Sequence, residues 1–323
     1  MKCFAIWCCL ALCLLVVGFP VGTVAMLRTA SDTSLDDQWM KWLENPPQQA
    51  IDVAANLTAR ADEIVDALLS DTETQAKIDA LGDVDMVVSG GGNLDTYYMG
   101  IHLIVERLAA KGKMLSVKRY TGASAGGMMP FELVLKGTNL TLLHHLSYQI
   151  LTEQNPSKPF EILQDHHWRL MGTWMTSKWA ADLTKLDDVV YVATSCLDPW
   201  PKLVVVHNYT DPKQAQSAFM STGTVFEWYD GMPCSDGGAM SGPNMTPLFQ
   251  DGVRPQLVVN LMKTGFPTSI VFKATLTQSL PIYEAGMQMA SKVFKCGADK
   301  KECWTDAFSF CPLGSDLKTQ VCK

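Results

Sequence analysis

The chain has no acidic or basic block, no low-complexity tract and no internal repeat. Without a basic patch there is no electrostatic footprint for nucleic acid, and no such partner is expected. Net charge −7, 18% charged and 47% hydrophobic residues over 323 positions describe an ordinary folded protein. That length suits one large domain with appendages, or two small ones. There is no CxxC pair or Cys/His cluster, so neither a metal nor any other cofactor is expected. Histidine is missing from the last 116 residues, after His207. That gap removes the late histidine which an α/β-hydrolase triad places after its serine and acid.

Charge is also missing between Lys2 and Arg28. A basic start, an apolar centre from Phe4 to Val17, Gly18 and Pro20, and the small-residue site Thr23-Val24-Ala25 read as a secretory signal over residues 1–25. The alternative is a single-pass N-terminal membrane anchor, because the uncharged run of 25 residues exceeds the roughly 20 that span a bilayer. On either reading the rest of the chain is secreted or faces the secretory lumen. Four of the ten cysteines (Cys3, Cys8, Cys9 and Cys13) lie in that leader, leaving six. Six allow 15 pairings. Because Cys296, Cys303, Cys311 and Cys322 crowd the last 28 residues, they are expected to pair among themselves and Cys196 with Cys234. Sequons at Asn56, Asn139, Asn208 and Asn244 are compatible with glycosylation in that compartment.

Residues 26–80 are polar and helix-prone, broken at Asn45-Pro46-Pro47, and read as an N-terminal helical extension. From 81 to 295 short apolar runs alternate with helical stretches. Strands are predicted at 85–89, 116–120, 189–194, 203–207, 256–261 and 269–274, and helices at 94–110, 125–136, 141–154 and 281–295. That alternation predicts an α/β fold with a mainly parallel central sheet and helices on both faces. The tail from 296 to 323 is too polar for a core and is expected to be shaped by disulfides.

Ser124 lies in TGASAGG, between a predicted strand and a predicted helix, as Gly122-x-Ser124-x-Gly126. A nucleophile elbow needs that spacing, because its strained serine leaves no room for side chains two residues either side. A second glycine cluster, Ser89-Gly90-Gly91-Gly92, follows a strand and precedes a helix, where backbone N–H groups can face an anion. A dinucleotide loop would need GxGxxG, and the final glycine is missing. An oxyanion hole needs only two good donors, and the cluster is read as that. For the base, His144, His145, His166 and His167 look structural and His207 is the fallback. Asp236, followed by Gly237 and Gly238 in PCSDGGAMSGPN, is the other candidate, against the plainer reading of an Asp-Gly turn. Trp168, Met171, Trp174, Met175 and Trp179 read either as core or as an acyl-chain pocket or lid.

SGGG at 89–92, GASAG at 122–126 and DGG at 236–238, in that order, resemble the patatin-like phospholipases. The stretch AQSAFMSTGTVFEWYDGMPCSDGG and the run PQLVVNL are similar to the segments around that family's aspartate, and the likeness spans residues 81–295. It implies a three-layer α/β/α fold and a lipid acyl hydrolase acting on a lipid or membrane-surface ester. By the same resemblance Ser124 attacks the ester, Asp236 accepts its proton directly, and amides of Gly90, Gly91 and Gly92 hold the oxyanion. The family's loop usually reads GGGxRG, whereas this one reads GGGNLD, without the basic residue. The lost charge weakens the case for a phosphate-bearing substrate and leaves a catalytically silent lipid-binding or storage protein as the alternative. A histidine-assisted esterase built on His207 is a further one.

Overall fold

Asp83–Val88 (β1) is buried at every position after its first residue, the mark of a strand covered on both faces. It lies between parallel partners: Ser116–Ala123 (β2) on one edge and Gln256–Val259 (β7) on the other. The computed structural model describes residues 33–155, 160–224, 227–239, 248–267, 269–297 and 300–312. The expected leader with its four cysteines, Asn244 and Cys322 lie outside them. Among the described residues no helix is long and apolar enough to cross a membrane. The chain divides into two compact units, residues 1–39 and 40–323.

Among the described residues the sheet has eight strands in the order β5-β6-β3-β2-β1-β7-β8, with β4 paired to β3. Val190–Leu197 (β3) runs parallel to β2, so the centre is parallel. Pro201–Val206 (β4), Glu227–Tyr229 (β5), Met232–Asp236 (β6) and Phe308–Cys311 (β8) join by antiparallel pairing, which makes an α/β fold with a mixed sheet.

The helices are Thr33–Glu44 (α1), Gln48–Leu69 (α2), Thr72–Asp79 (α3), Asp95–Ala110 (α4), Ala125–Lys136 (α5), Thr138–Gln154 (α6), Phe160–Lys178 (α7), Pro212–Gly223 (α8), Ser269–Phe272 (α9) and Leu276–Cys296 (α10). α2 begins at Gln48, directly after the Pro46-Pro47 break. Its apolar face, including Leu57, Ile64, Val65 and Leu68, enters the core that α4, α10, β1 and β7 share, so it is built into the body of the domain. α4 and α10 cross closely because neither carries a side chain at the crossing. A Cβ on Gly100 would lie 2.2 Å from the Tyr283 carbonyl oxygen, and one on Gly286 2.1 Å from that of Tyr97. α10 starts five residues before the predicted boundary because Thr275 and Gln278 form a capping box ahead of Pro281.

Two expectations about the C-terminal third are corrected. Of residues 269–274, predicted as a strand, Ser269–Phe272 form the short helix α9 and none is in a strand: the Ile270 amide bonds the Pro267 carbonyl (3.0 Å) and the Lys273 amide that of Ser269 (3.2 Å). Both edges of β7 are already occupied, by β1 and β8, so no site in the sheet is open beside it. β8 itself comes from the cysteine-rich tail, which buries Phe308 and Cys311 instead of standing outside the core. Cys296 is bonded to Cys303, and Cys311 is disulfide-bonded as well.

Candidate active site

Ser124 stands between β2 and α5 with φ +56° and ψ −136°, a left-handed region that a side chain occupies only under constraint. Such a residue costs about 1–3 kcal/mol and persists where its surroundings enforce it. The enforcement is local. A Cβ on Gly122 would lie 2.0 Å from the Gly126 carbonyl oxygen, and one on Gly126 2.3 Å from the Val88 and 2.5 Å from the Ser89 carbonyl oxygens. α5 begins against the serine, with the Gly127 and Met128 amides donating to its carbonyl at 2.9 and 3.0 Å. A residue that sequence reasoning missed completes the clamp. Thr222, at the end of α8, accepts from the Ser124 amide at 2.9 Å and donates to the Ala193 carbonyl at 2.6 Å. Only the packing of α8 on β3 reveals that role.

Asp236 reaches Ser124 through the sheet. Thr194, Ser195 and Cys196 pair with β4 on one side and β6 on the other, whereas Val192 and Ala193 pair with β4 and β2. β2 and β6 therefore share one edge of β3 and meet end to end, with Ala123 opposite Ala193 and Asp236 opposite Thr194. Across that junction the Ser124 hydroxyl faces the Asp236 carboxylate, near enough to oppose the rise in its pKa. The carboxylate also accepts from the Gly238 amide at 2.8 Å, and the Asp236 amide donates to the Thr224 carbonyl at 2.8 Å. Gly237 allows the close approach of this loop: a Cβ there would lie 1.9 Å from the Ala193 carbonyl oxygen. Two residues upstream, Cys234 is disulfide-bonded to Cys196, the pairing expected from the sequence. Burial raises the Asp236 carboxyl to about 6, against the opposing pull of the Ser124 and Gly238 hydrogen bonds. A raised carboxyl pKa of this size is the kind that suits a general base near neutral pH.

The glycine loop leaves β1 beside the elbow, where Val88 is in register with Gly122. A Cβ on Gly91 would lie 2.6 Å from Leu261 Cβ, and one on Gly92 (φ +52°) 2.1 Å from the Val271 carbonyl oxygen. Ser89 fixes the start of the loop: its hydroxyl accepts from the Leu261 amide at 2.7 Å and donates to the Gly90 carbonyl at 2.9 Å.

His102, His144, His145 and His207 lie elsewhere. His207 is opposite the start of β3, with Nδ1 2.9 Å from Asp188 Oδ1 and its ring stacked on Tyr191, three residues along the strand from Thr194. His102 bonds Thr138. His144 and His145 belong to a buried ionic cluster. The Lys136 ammonium is 2.6 Å from Glu132 and 3.0 Å from His144 Nδ1, which can only accept, so Nε2–H donates to the Leu43 carbonyl at 3.0 Å. His145 lies between Glu132 (3.6 Å) and Asp95 (3.8 Å). Burial opposes its charge, but the two carboxylates more than offset that and raise its pKa.

Trp168, Met171 and Met175 are core residues, and Trp174 is partly buried, donating to Glu44. The stripe read as core or lid is therefore largely core. Asn56, Asn139 and Asn208 are exposed.

No protein-family model matches the chain, and no curated protein matches it. The arrangement of Ser124, Asp236 and the loop at 89–92 therefore rests on its own geometry.

Proposed function

We propose that the protein is a serine acyl hydrolase of the patatin-like kind, cleaving fatty-acyl esters through Ser124 and Asp236 without a histidine. The observation that carries this reading is a serine held at positive φ with its hydroxyl on a carboxylate whose pKa burial lifts to about 6. A purely structural serine has no need of the strain, and a surface aspartate would titrate lower. The mixed, centrally parallel sheet is compatible with the three-layer α/β/α patatin-like fold that belongs to this proposal.

In the first half-reaction Ser124 Oγ attacks the ester carbonyl carbon while its proton passes to Asp236. Negative charge collects on the carbonyl oxygen, where amides of Gly91 and Gly92, with Gly90, are the proposed donors. Each such donor is worth about 3–4 kcal/mol of barrier. The C–O bond then breaks, Asp236 returns the proton to the departing alcohol, and the acyl group stays on Ser124. In the second half-reaction Asp236 takes a proton from water, the resulting nucleophile attacks the acyl-enzyme, and the fatty acid leaves as Ser124 regains its proton. The GGGNLD loop lacks a cation for a phosphate, so neutral acyl esters are proposed ahead of phospholipids.

The two described disulfides fit an oxidising compartment, and the secretory lumen or the exterior is the proposed location. Turnover of a soluble short-chain ester by the purified protein tests the function. The reading predicts hydrolysis that Ser124→Ala abolishes. A wild-type protein that retains lipid without turning over any ester would replace the enzyme with a lipid-binding protein.

A further inference from the structure

Nucleophile and base sit at the ends of different strands, β2 and β6, which meet along β3, so no single strand fixes the distance between them. The end of α8 touches both. An α-helix leaves its last carbonyls without partners inside the helix, and at α8 a partner comes from the strand between the two groups. Thr194 Oγ1, on β3, lies 3.0 Å from the Ser221 carbonyl oxygen and 3.1 Å from that of Ser235, the residue before Asp236. The Thr224 carbonyl, one residue past the helix, accepts from the Asp236 amide at 2.8 Å. Between these contacts, Thr222 accepts from the Ser124 amide at 2.9 Å and donates to the Ala193 carbonyl at 2.6 Å. Ser221, Thr222 and Thr224 therefore hold the amide of the nucleophile, the amide of the base and the strand that separates them.

Thr222 is the member of this turn that answers the serine directly. Its bond to the Ser124 amide fixes the peptide plane on the N-terminal side of that residue, and with it the φ of +56°. Thr194, Ser221 and Thr222 are fully buried, so a lost partner leaves a backbone group unpaired in the core. A β-branched side chain is stiff at χ1, and Thr222 is also held against α5: a Cβ on Gly127 would lie 3.0 Å from its Oγ1 and 3.3 Å from its Cγ2. The Ala193 carbonyl that accepts from Thr222 is the one that Gly237 passes closely, so the relay from the Ser124 amide ends beside the loop of the base. With its amide turned to Thr222, Ser124 does not offer that N–H to an oxyanion, in keeping with donors drawn from the glycine loop.

We propose that Thr222 is a positioning residue for the Ser124–Asp236 pair, and that through it the end of α8 sets the distance from nucleophile to base. This inference rests on the acyl-hydrolase reading. Wild type, Thr222→Val and Thr222→Ser are compared for kcat and KM on a soluble short-chain ester, and for the pH dependence with which a fluorophosphonate labels Ser124. Valine keeps the shape of the side chain and removes both hydrogen bonds, whereas serine keeps the hydroxyl. Thr222→Val is expected to lower kcat on the order of 10²-fold, the cost of about 1 Å of misplacement, with KM within about twofold of wild type. Its labelling midpoint should move up by about half a pH unit or more, because a Ser124 hydroxyl drawn away from Asp236 no longer holds that pKa down. Thr222→Ser should recover kcat to within about fivefold of wild type. A Thr222→Val protein with kcat within about threefold of wild type, or with an unmoved midpoint, overturns the proposal and makes Thr222 a packing residue. Should Thr222→Val not fold, Thr194→Val loosens the same end of α8 and is expected to lower kcat about tenfold with the same upward midpoint; an unchanged kcat there overturns the proposal equally. A wild type that neither turns over the ester nor labels removes the hydrolase reading and this inference with it, whereas equal turnover by wild type and Thr222→Val removes this inference alone.

Discussion

Asp236 and Asp95 are two carboxylates of one domain, both raised to about 6 chiefly by burial, yet their surroundings give them opposite work. Asp95, in the first turn of α4, faces His145 at 3.8 Å, which in turn faces Glu132 and, through it, Lys136. Every member of that cluster answers another member, so its charges are internally matched. Asp236 faces a hydroxyl on a strained backbone, and no cation lies among the causes of its shift. A raised pKa alone therefore does not mark a reactive group. What separates the two is the partner: a closed ionic network on one side, an uncompensated carboxylate beside a nucleophile on the other.

The comparison breaks first on turnover. Asp236→Asn is expected to lower kcat for a soluble ester on the order of 10³-fold, the usual range for a general base. Asp95→Asn is expected to cost less than tenfold. Similar losses in both would mean that the ionic cluster takes part in the chemistry and that the distinction drawn here is false.

Stability sharpens the contrast by sign. Glu132→Gln leaves Lys136 buried beside a neutral amide, and chemical denaturation should show a loss of about 3–5 kcal/mol, as for a broken buried pair. Asp236→Asn should move the other way at pH 7. The folded-state value near 6 exceeds the unfolded 3.8, so the folded protein binds more protons between those values and loses stability as pH rises through that window. Removing the charge should return up to about 3 kcal/mol, for a shift of about two pKa units at roughly 1.4 kcal/mol each. A destabilised Asp236→Asn protein would assign that carboxylate a structural role.

Much of the site was legible because its requirements are local. GASAG and DGG keep glycines where Gly126 and Ala193 carbonyls leave no room for a Cβ, and those constraints act within a few residues of sequence or across one strand. The pairing of Cys196 with Cys234 was legible from the crowding of the other cysteines. Thr222 was not, because its clamp on Ser124 depends on how α8 packs, and a threonine near a helix end has no periodic signal. Nor was the ionic cluster: His144 and His145 were read as structural from their apolar pattern, but their carboxylate and ammonium partners come from two other helices. Residues 269–274 carry a strand-like apolar run, and only the filled edges of β7 exclude them from the sheet. The tail was underestimated because its polar composition hid one apolar segment, Phe308–Cys311, with a sheet edge to join.

The most direct test of a serine activated by a lone carboxylate is the rate at which a fluorophosphonate labels Ser124, mapped by peptide mass and followed from pH 4.5 to 8. Asp236 is protonated below its value of about 6, so labelling should rise as pH passes through 6 and level off above it. Asp236→Asn should lose both the rise and most of the rate. Labelling of wild type and Asp236→Asn at the same rate, or an adduct on a serine other than Ser124, would contradict the account.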